Sequence, residues 1–193
     1  YPVCTGANEV PWPQIGQTIQ SSGSIEVGDI AISDQGNVMV VTYPYGGKAD
    51  IYDLTTDSLW TLSQSISMNT FFQEAAAISG DGNIVAFANN ETGGAGIDAY
   101  IRTDLGWETV GDRIEVEGVG DKTALALSED GSRLIYGVMH GDYVHNNAGY
   151  ARVLEWNENE WSQLDNDFYG GGDSWYLGND VAISNDGNTI AIA

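Results

Sequence analysis

The sequence has almost no cysteine and few basic residues. Cys4 is the single cysteine among 193 residues, which excludes an internal disulfide and a cysteine-based metal site. Six lysines and arginines face 28 acidic residues, for a formal net charge of −22 at pH 7. Phosphate binding needs clustered Lys and Arg, so nucleic acid is not a predicted partner, and an anionic membrane surface is equally disfavoured.

Long apolar runs are missing as well. No run approaches the roughly 20 residues that span a bilayer, so direct membrane insertion is not predicted. No segment keeps a 3.6-residue apolar period, which disfavours helices. The chain instead has 25 glycines, and its Tyr, Trp, Val and Ile residues are spread along its whole length. This composition indicates a globular, β-rich protein.

One short pattern recurs four times. It reads AISDQG (31–36), AISGDG (77–82), ALSEDG (126–131) and AISNDG (182–187). A Trp-led segment precedes each copy, and these tryptophans, Trp12, Trp60, Trp107 and Trp161, follow one another at spacings of 48, 47 and 54 residues. A period near fifty residues indicates one structural unit repeated along the chain.

Each unit is predicted to contain four short strands. Apolar pieces of five to seven residues are bounded by Gly, Asp and Asn, and Asp-Gly between two such pieces favours a hairpin. The recurring serine is expected to bond backbone amides of the turn, at Ser33, Ser79, Ser128 and Ser184. Such units predict an all-β fold, a β-propeller of four-stranded antiparallel blades, with the tryptophans filling the space between blades.

The blade-like units span about 20–66, 67–112 and 113–165, and a split unit combines 179–193 with 1–19. Val3 lies nine residues before Trp12, as Ile51 lies nine before Trp60, so the two chain ends could share one blade. The four repeats then form either a closed four-bladed ring or part of a larger propeller. We favour the larger ring, because four blades lie at the lower end of the known range.

The repeat resembles a known family. The segments WPQIGQTI (12–19) and WETVGDRI (107–114), with the four Ser-x-x-Gly turns, are similar to integrin-α-like or FG-GAP-like propeller repeats of marine bacteria and microalgae. The turn also resembles that of TolB-type propellers. The resemblance implies a secreted, cell-surface or lumenal propeller. Calcium-binding integrin-type blades carry several aspartates per loop, whereas each turn here has at most one, so their calcium sites do not carry over: Asp34, Asp81, Asp130 and Asp186.

Two unequal loops are the candidate sites. The first, 139–150, contains His140, Asp142, Tyr143 and His145, and a His/Asp metal site or a simple hydrogen-bonded loop is open there. The second, 164–180, contains oxygen donors at a calcium-like spacing and two aromatics that could stack on a sugar: Asp165, Asp167, Asp173, Trp175 and Tyr176. An ordinary blade connection is the alternative. No cofactor is predicted, with calcium as the alternative, and Asn90-Glu91-Thr92 is a glycosylation sequon.

No nucleophile elbow, phosphate loop, HExxH motif or zinc spacing occurs, so the sequence predicts that the protein is not an enzyme. The predicted function is a non-catalytic interaction or assembly module, secreted or at the cell surface, or alternatively in an organelle lumen. Its partner would be another protein, a further copy of itself or a glycan. The alternatives are a calcium- or carbohydrate-binding adhesion module and a hydrolase with a central-channel site.

Overall fold

The computed structural model describes residues 13–20, 26–67, 75–91, 94–116 and 123–193, without the side chains of Asn90, Glu91 and Gly94. Within these ranges the chain forms four antiparallel sheets and one short 3-10 turn, Pro44–Gly46. The predicted all-β propeller fold is confirmed. The same ranges contain no helix that is long and apolar enough to cross a membrane.

Each sheet is a blade whose strands follow chain order from the inner strand outward. Blade 1 contains β1 (Ile30–Ile32), β2 (Val38–Tyr43), β3 (Lys48–Leu54) and β4 (Trp60–Ser67). Blade 2 contains β5 (Ala76–Ile78), β6 (Ile84–Glu91), β7 (Gly94–Thr103) and β8 (Gly106–Thr109), and β9 (Ile114–Glu115) also pairs with β7.

Blade 3 contains β10 (Thr123–Leu127), β11 (Arg133–Val138), β12 (Tyr150–Trp156) and β13 (Trp161–Gln163), and β14 (Phe168–Tyr169) also pairs with β12. Blade 4 has two strands within the described ranges, β15 (Val181–Ile183) and β16 (Ile190–Ile192).

The four recurring turns share one geometry. In each, the serine hydroxyl accepts a hydrogen bond from the backbone amide five residues ahead, as at Ser79, which accepts from Ile84 at 2.9 Å. The glycine that ends each turn has a positive φ, between 65° and 74°. The serine also donates to the turn aspartate in three copies, whereas Ser33 donates to Asn37 because Gln35 replaces the aspartate. The predicted role of these serines is therefore confirmed.

The turns meet around one axis in a circle of hydrogen bonds. Backbone amides join turn 1 to turn 2 (Asp34 to Gly80), turn 2 to turn 3 (Asp81 to Glu129) and turn 3 to turn 4 (Glu129 to Asn185), at 2.9–3.0 Å. The Asn185 side chain then donates to Asp34 Oδ2 at 2.6 Å. The fourth blade therefore lies beside the first at this end of the molecule.

Apolar layers hold neighbouring blades together. In one layer Val40 and Ile51 of blade 1 pack with Phe87 and Trp107 of blade 2. A second layer joins blades 2 and 3, and a third joins blade 3 to Val181 of blade 4. On the inner strands β5 and β10, neighbouring residues alternate between the layer toward the preceding blade and the layer toward the next, as the two-residue period of a strand requires.

Two of the recurrent tryptophans, Trp107 and Trp161, pack in the apolar layers between blades. Trp107 is buried and lies under the guanidinium of Arg102, whose carbon is 4.7 Å from the ring centre. Gln64 of the preceding blade bonds both backbone groups of Trp107, accepting from N–H at 2.9 Å and donating to C=O at 3.1 Å. Gln17 makes the same two bonds to Trp60, and both pairs are separated by 43 residues. We call each such pair a glutamine clamp.

Candidate functional site: an aromatic face on blade 3

The two loops selected from the sequence interlock into one structure on blade 3. The amide of Leu177 donates to Ala148 C=O at 2.9 Å, and that of Ser174 donates to Asn146 C=O at 2.9 Å. Gly149, at φ 73°, allows the closest approach, because a Cβ there would lie 2.1 Å from the Leu177 carbonyl oxygen. Backbone hydrogen bonds, rather than side chains alone, therefore fix both loops.

Besides Leu164, six large apolar side chains remain exposed on and beside these loops: Tyr143, Val144, Phe168, Tyr169, Trp175 and Tyr176. We call this set the aromatic face. Tyr143 and Tyr169 lie 6.0 Å apart between ring centres, and Tyr143 also packs edge-on against the buried Tyr150. Trp175 lies against the backbone of Gly171 and Gly172 and is still 66% exposed. A clustered exposed apolar surface with a polar rim is typical of an interaction site.

An ion pair supports the aromatic face from below. Arg152 on β12 makes a bidentate pair with Asp167, at 2.6 and 2.8 Å, and Tyr169 donates to the same carboxylate at 2.9 Å. The hydrogen bonds from Arg152 hold the pKa of Asp167 below its ordinary value. Burial raises the pKa of the neighbouring Tyr150, so its hydroxyl stays protonated. Asp167 therefore positions Tyr169 at the surface.

The backbone of the loops is held in an unusual conformation. Three non-glycine residues have positive φ: Asn147 at 51°, Ser174 at 58° and Tyr176 at 54°. A positive φ at a bulky residue such as tyrosine is energetically costly and persists where the surrounding contacts enforce it. Tyr176 also packs edge-on against His140, with ring centres 5.4 Å apart. Such outliers concentrate at functional sites.

The rim of the aromatic face is acidic. Asp142, Asp165 and Asp173 are exposed, whereas each lysine and arginine that the structure describes is bound to a carboxylate within the protein. The negative charge around the face is therefore not neutralised by the basic side chains of the described residues.

The predicted site residues are arranged for loop structure rather than around a cation. Asp165 accepts from the amide of Asn166, Asp173 from that of Asn146, and Asp142 from that of Asn147. Across the described ranges, no three His, Cys, Asp or Glu side chains form a group that could hold a metal ion. Calcium binding at Asp165, Asp167 and Asp173 stays a prediction that this geometry does not support.

The two histidines have different neighbours. His140 Nδ1 lies 3.1 Å from Asn147 Oδ1, and His145 Nδ1 lies 3.8 Å from Asp173 Oδ1.

The backbone of Asn90, the first residue of the predicted sequon, pairs with Ala95 within the β6–β7 hairpin, whereas its side chain and Thr92 lie outside the described residues.

Sequence reasoning missed Val144, Phe168, Tyr169 and Arg152. One signal was available for Arg152: its pair with Asp167 spans 15 residues, as do Asp50–Ser65 in blade 1 and Asp98–Arg113 in blade 2. The third strand of blades 1, 2 and 3 thus carries a charged residue that is bonded to the side chain 15 positions ahead. In blade 3 this residue is an arginine, whereas in blades 1 and 2 it is an aspartate.

Comparisons with known proteins place the chain by fold. No family model matches it, and no curated protein matches it. The resemblance to integrin-α-like repeats therefore stays a prediction, without support from a family match.

Several solved structures of the β-propeller type do match the chain. TolB from Acinetobacter baumannii is 16% identical with a TM-score of 0.56, covering 89% of this chain and 38% of its own. A putative 6-phosphogluconolactonase from Bacteroides uniformis is 13% identical with a TM-score of 0.64, covering 99% of this chain and 50% of its own. KlAtg21, solved in complex with the coiled-coil of AgAtg16, is 14% identical with a TM-score of 0.65, covering 89% and 50%.

These comparisons correct one prediction. The absence of catalytic motifs predicted that the protein is not an enzyme, and that conclusion is wrong, because several matched structures carry the names 6-phosphogluconolactonase or gluconolactonase. At identities of 10–14% they share the fold alone. The chain spans half or less of the length of these three matched structures. It has the same β-propeller fold.

Proposed function

We propose that this chain is a propeller interaction module that binds a protein partner through the aromatic face of blade 3. The main supporting observation is the set of exposed aromatic side chains that two interlocked loops carry on a backbone fixed by hydrogen bonds. Tyr and Trp are enriched among residues that dominate binding energy, because they bury a large area with few rotatable bonds. The complex of KlAtg21 with a coiled-coil shows a matched fold in a protein–protein assembly.

A site-specific photo-crosslinker tests the proposal. It is placed at Val144, which is 53% exposed within the aromatic face, and at the control position Leu105, which is 90% exposed on the β7–β8 turn of blade 2. We expect a discrete adduct from Val144 in the producing cells, no such adduct from Leu105, and loss of the adduct in Trp175→Ala. An adduct at twice the mass of the chain would identify the partner as a second copy. Equal labelling from both positions would contradict the proposal.

A second candidate is hydrolysis of a sugar lactone, favoured by the names of the matched lactonases and by the His145–Asp173 pair. Asp173 near Nδ1 would orient His145 so that Nε2 accepts a proton from the water that attacks the lactone carbonyl. The ester C–O bond then breaks, and the leaving alkoxide takes that proton from His145 to become a hydroxyl group. The described cations are paired with carboxylates, which favours an unphosphorylated lactone.

Hydrolysis of gluconolactone above the spontaneous rate tests this candidate. His145→Gln should abolish the excess rate, whereas His140→Gln should retain it, because the imidazole of His140 faces Asn147 instead. A rate unchanged by His145→Gln would remove the histidine from this role.

The location belongs to the same proposal: secreted or at the cell surface, with an organelle lumen as the alternative. It rests on the sequon Asn90-Glu91-Thr92 and on the repeat resemblance. If Asn90 is glycosylated in its native cells, enzymatic removal of N-glycans should lower the apparent mass, and Asn90→Gln should abolish that shift. A mass unaffected by either treatment would withdraw the support of the sequon.

A further inference from the structure

We propose that the partner of the aromatic face is a basic, arginine- or lysine-bearing segment of another protein, with a cationic side chain stacked on Trp175 beside Asp173. This inference rests on the proposed function, because it names the chemistry of the partner at the same surface. The supporting observation is the way in which this protein binds its own lysine and arginine side chains.

Three of the described cations follow one arrangement, in which the cation lies over an aromatic ring and pairs with a carboxylate. Lys48 lies 4.8 Å from the ring centre of Tyr43 and 2.6 Å from Asp50. Arg102 lies over Trp107 and pairs with Asp53. Arg152 lies 6.0 Å from Tyr136 and 5.9 Å from Tyr150 and pairs with Asp167. An aromatic ring attracts a cation through its quadrupole, and the carboxylate adds a charge-assisted hydrogen bond.

The aromatic face offers the same components at the surface. Trp175 is its most exposed ring, and Asp173, two residues earlier, has a side chain that is 74% exposed. Tyr143 follows Asp142, which is also exposed. Every lysine and arginine that the structure describes is paired with another carboxylate, so we assign the cation that completes this arrangement to a partner.

Charge complementarity favours the same partner over a second copy of this chain. With a net charge of −22, two copies repel each other, whereas a basic segment is attracted at long range. Arginine suits the site best, since its planar guanidinium can stack on an indole and bond a carboxylate at the same time.

The probe is a synthetic peptide with three arginines separated by Gly-Ser, and its matched control replaces each arginine with citrulline, a neutral residue of nearly the same shape. Calorimetry should detect binding of the arginine peptide alone, weakening as salt rises from about 0.05 to 0.5 M. Trp175→Ala should weaken binding about tenfold, since it removes the stacking surface. Tyr45→Ala, an exposed aromatic of blade 1, should leave binding unchanged.

A pair of variants separates local contact from overall charge. Asp173→Asn and Asp104→Asn each remove one negative charge, but Asp104 lies on the β7–β8 turn of blade 2. We expect Asp173→Asn to weaken binding at least about threefold more than Asp104→Asn. Equal effects would overturn the proposal, because the attraction would then be non-specific.

The two proposals fail in different ways. A crosslinked adduct at Val144, together with equal binding of the arginine and citrulline peptides, would leave the interaction module standing and overturn the basic partner. Trp175-dependent binding of a neutral glycan in place of the peptide would overturn it as well. Absence of both the adduct and peptide binding would remove both proposals.

Discussion

At the scale of single residues, the recurring serine shows how one side chain specifies a turn. Ser79 is completely buried, and its hydroxyl accepts from the amides of Asn83 and Ile84 and donates to Asp81 at 2.6 Å. A buried amide without an acceptor costs about 1–3 kcal/mol. We expect Ser79→Ala to lower the free energy of unfolding by about that amount in urea titrations. The matched variant Ser184→Ala, at a half-buried turn, should cost less, and an equal loss would contradict this account.

The Arg152–Asp167 pair predicts a pH dependence. Hydrogen bonds from Arg152 hold the folded pKa of Asp167 below the unfolded value of about 3.9. Its contribution to stability is therefore present above about pH 4 and is lost as the pH falls through the lower folded value. The difference in unfolding free energy between the protein and Asp167→Asn should be constant from pH 7 to about 4.5 and shrink in more acid solution.

Tyr169→Phe is the control for this pH dependence. It removes one of the hydrogen bonds that lower the pKa of Asp167 but keeps the ion pair with Arg152, so a smaller loss of stability in acid, of the same sign, should remain. An Asp167→Asn difference that does not shrink in acid would show that the carboxylate charge is not what stabilises the pair.

At the scale of elements, the glutamine clamps join the outer edges of successive blades. Gln64 satisfies both backbone groups of Trp107, and the two bonds are together worth about 1–2 kcal/mol. Gln64→Ala should lower unfolding stability by about that amount, measured by denaturant titration. Gln64→Glu keeps the acceptor and loses the donor, so it should fall between the alanine variant and the unaltered protein. If neither variant changed the free energy of unfolding, the clamp would have no stabilising role.

The blades were predictable from the sequence, but their clamps and the aromatic face were not. The Ser-x-x-Gly turns and the Trp-led strands can be recognised from short stretches of sequence, because the conformation of a hairpin depends on residues that are neighbours in the chain. Gln17 lies five residues after Trp12 and Gln64 lies four residues after Trp60, so no fixed spacing within the repeat marks the glutamines of the clamps. Loops 139–150 and 164–180 are joined where the backbone of Gly149 pairs with that of Leu177. These two residues are distant in the sequence, so no local pattern predicts their contact.

At the scale of the whole molecule, two observations bear on whether the four blades close a ring. Asn185 bonds Asp34, which brings blade 4 beside blade 1. Gln17 clamps Trp60 of blade 1 as Gln64 of blade 1 clamps Trp107 of blade 2. Residues 13–20 thus occupy the place of an outer strand in the blade that precedes blade 1. The side of β1 that faces this place carries Ile30 and Ile32, which are 58% and 54% exposed.

The split blade of 179–193 with 1–19 stays a prediction, and hydrogen exchange at β16 tests it. The Ala193 amide donates to Asp180, so alternation along an antiparallel strand directs the Ile190 and Ile192 amides away from β15. If the N-terminal segment completes this blade, those two amides are protected in the full chain and exchange fast after deletion of residues 1–20. Amides of β6 should keep their protection, because blade 2 is unaltered. Equal exchange at Ile190 and Ile192 in both proteins would instead indicate that the N-terminal segment does not cover β16.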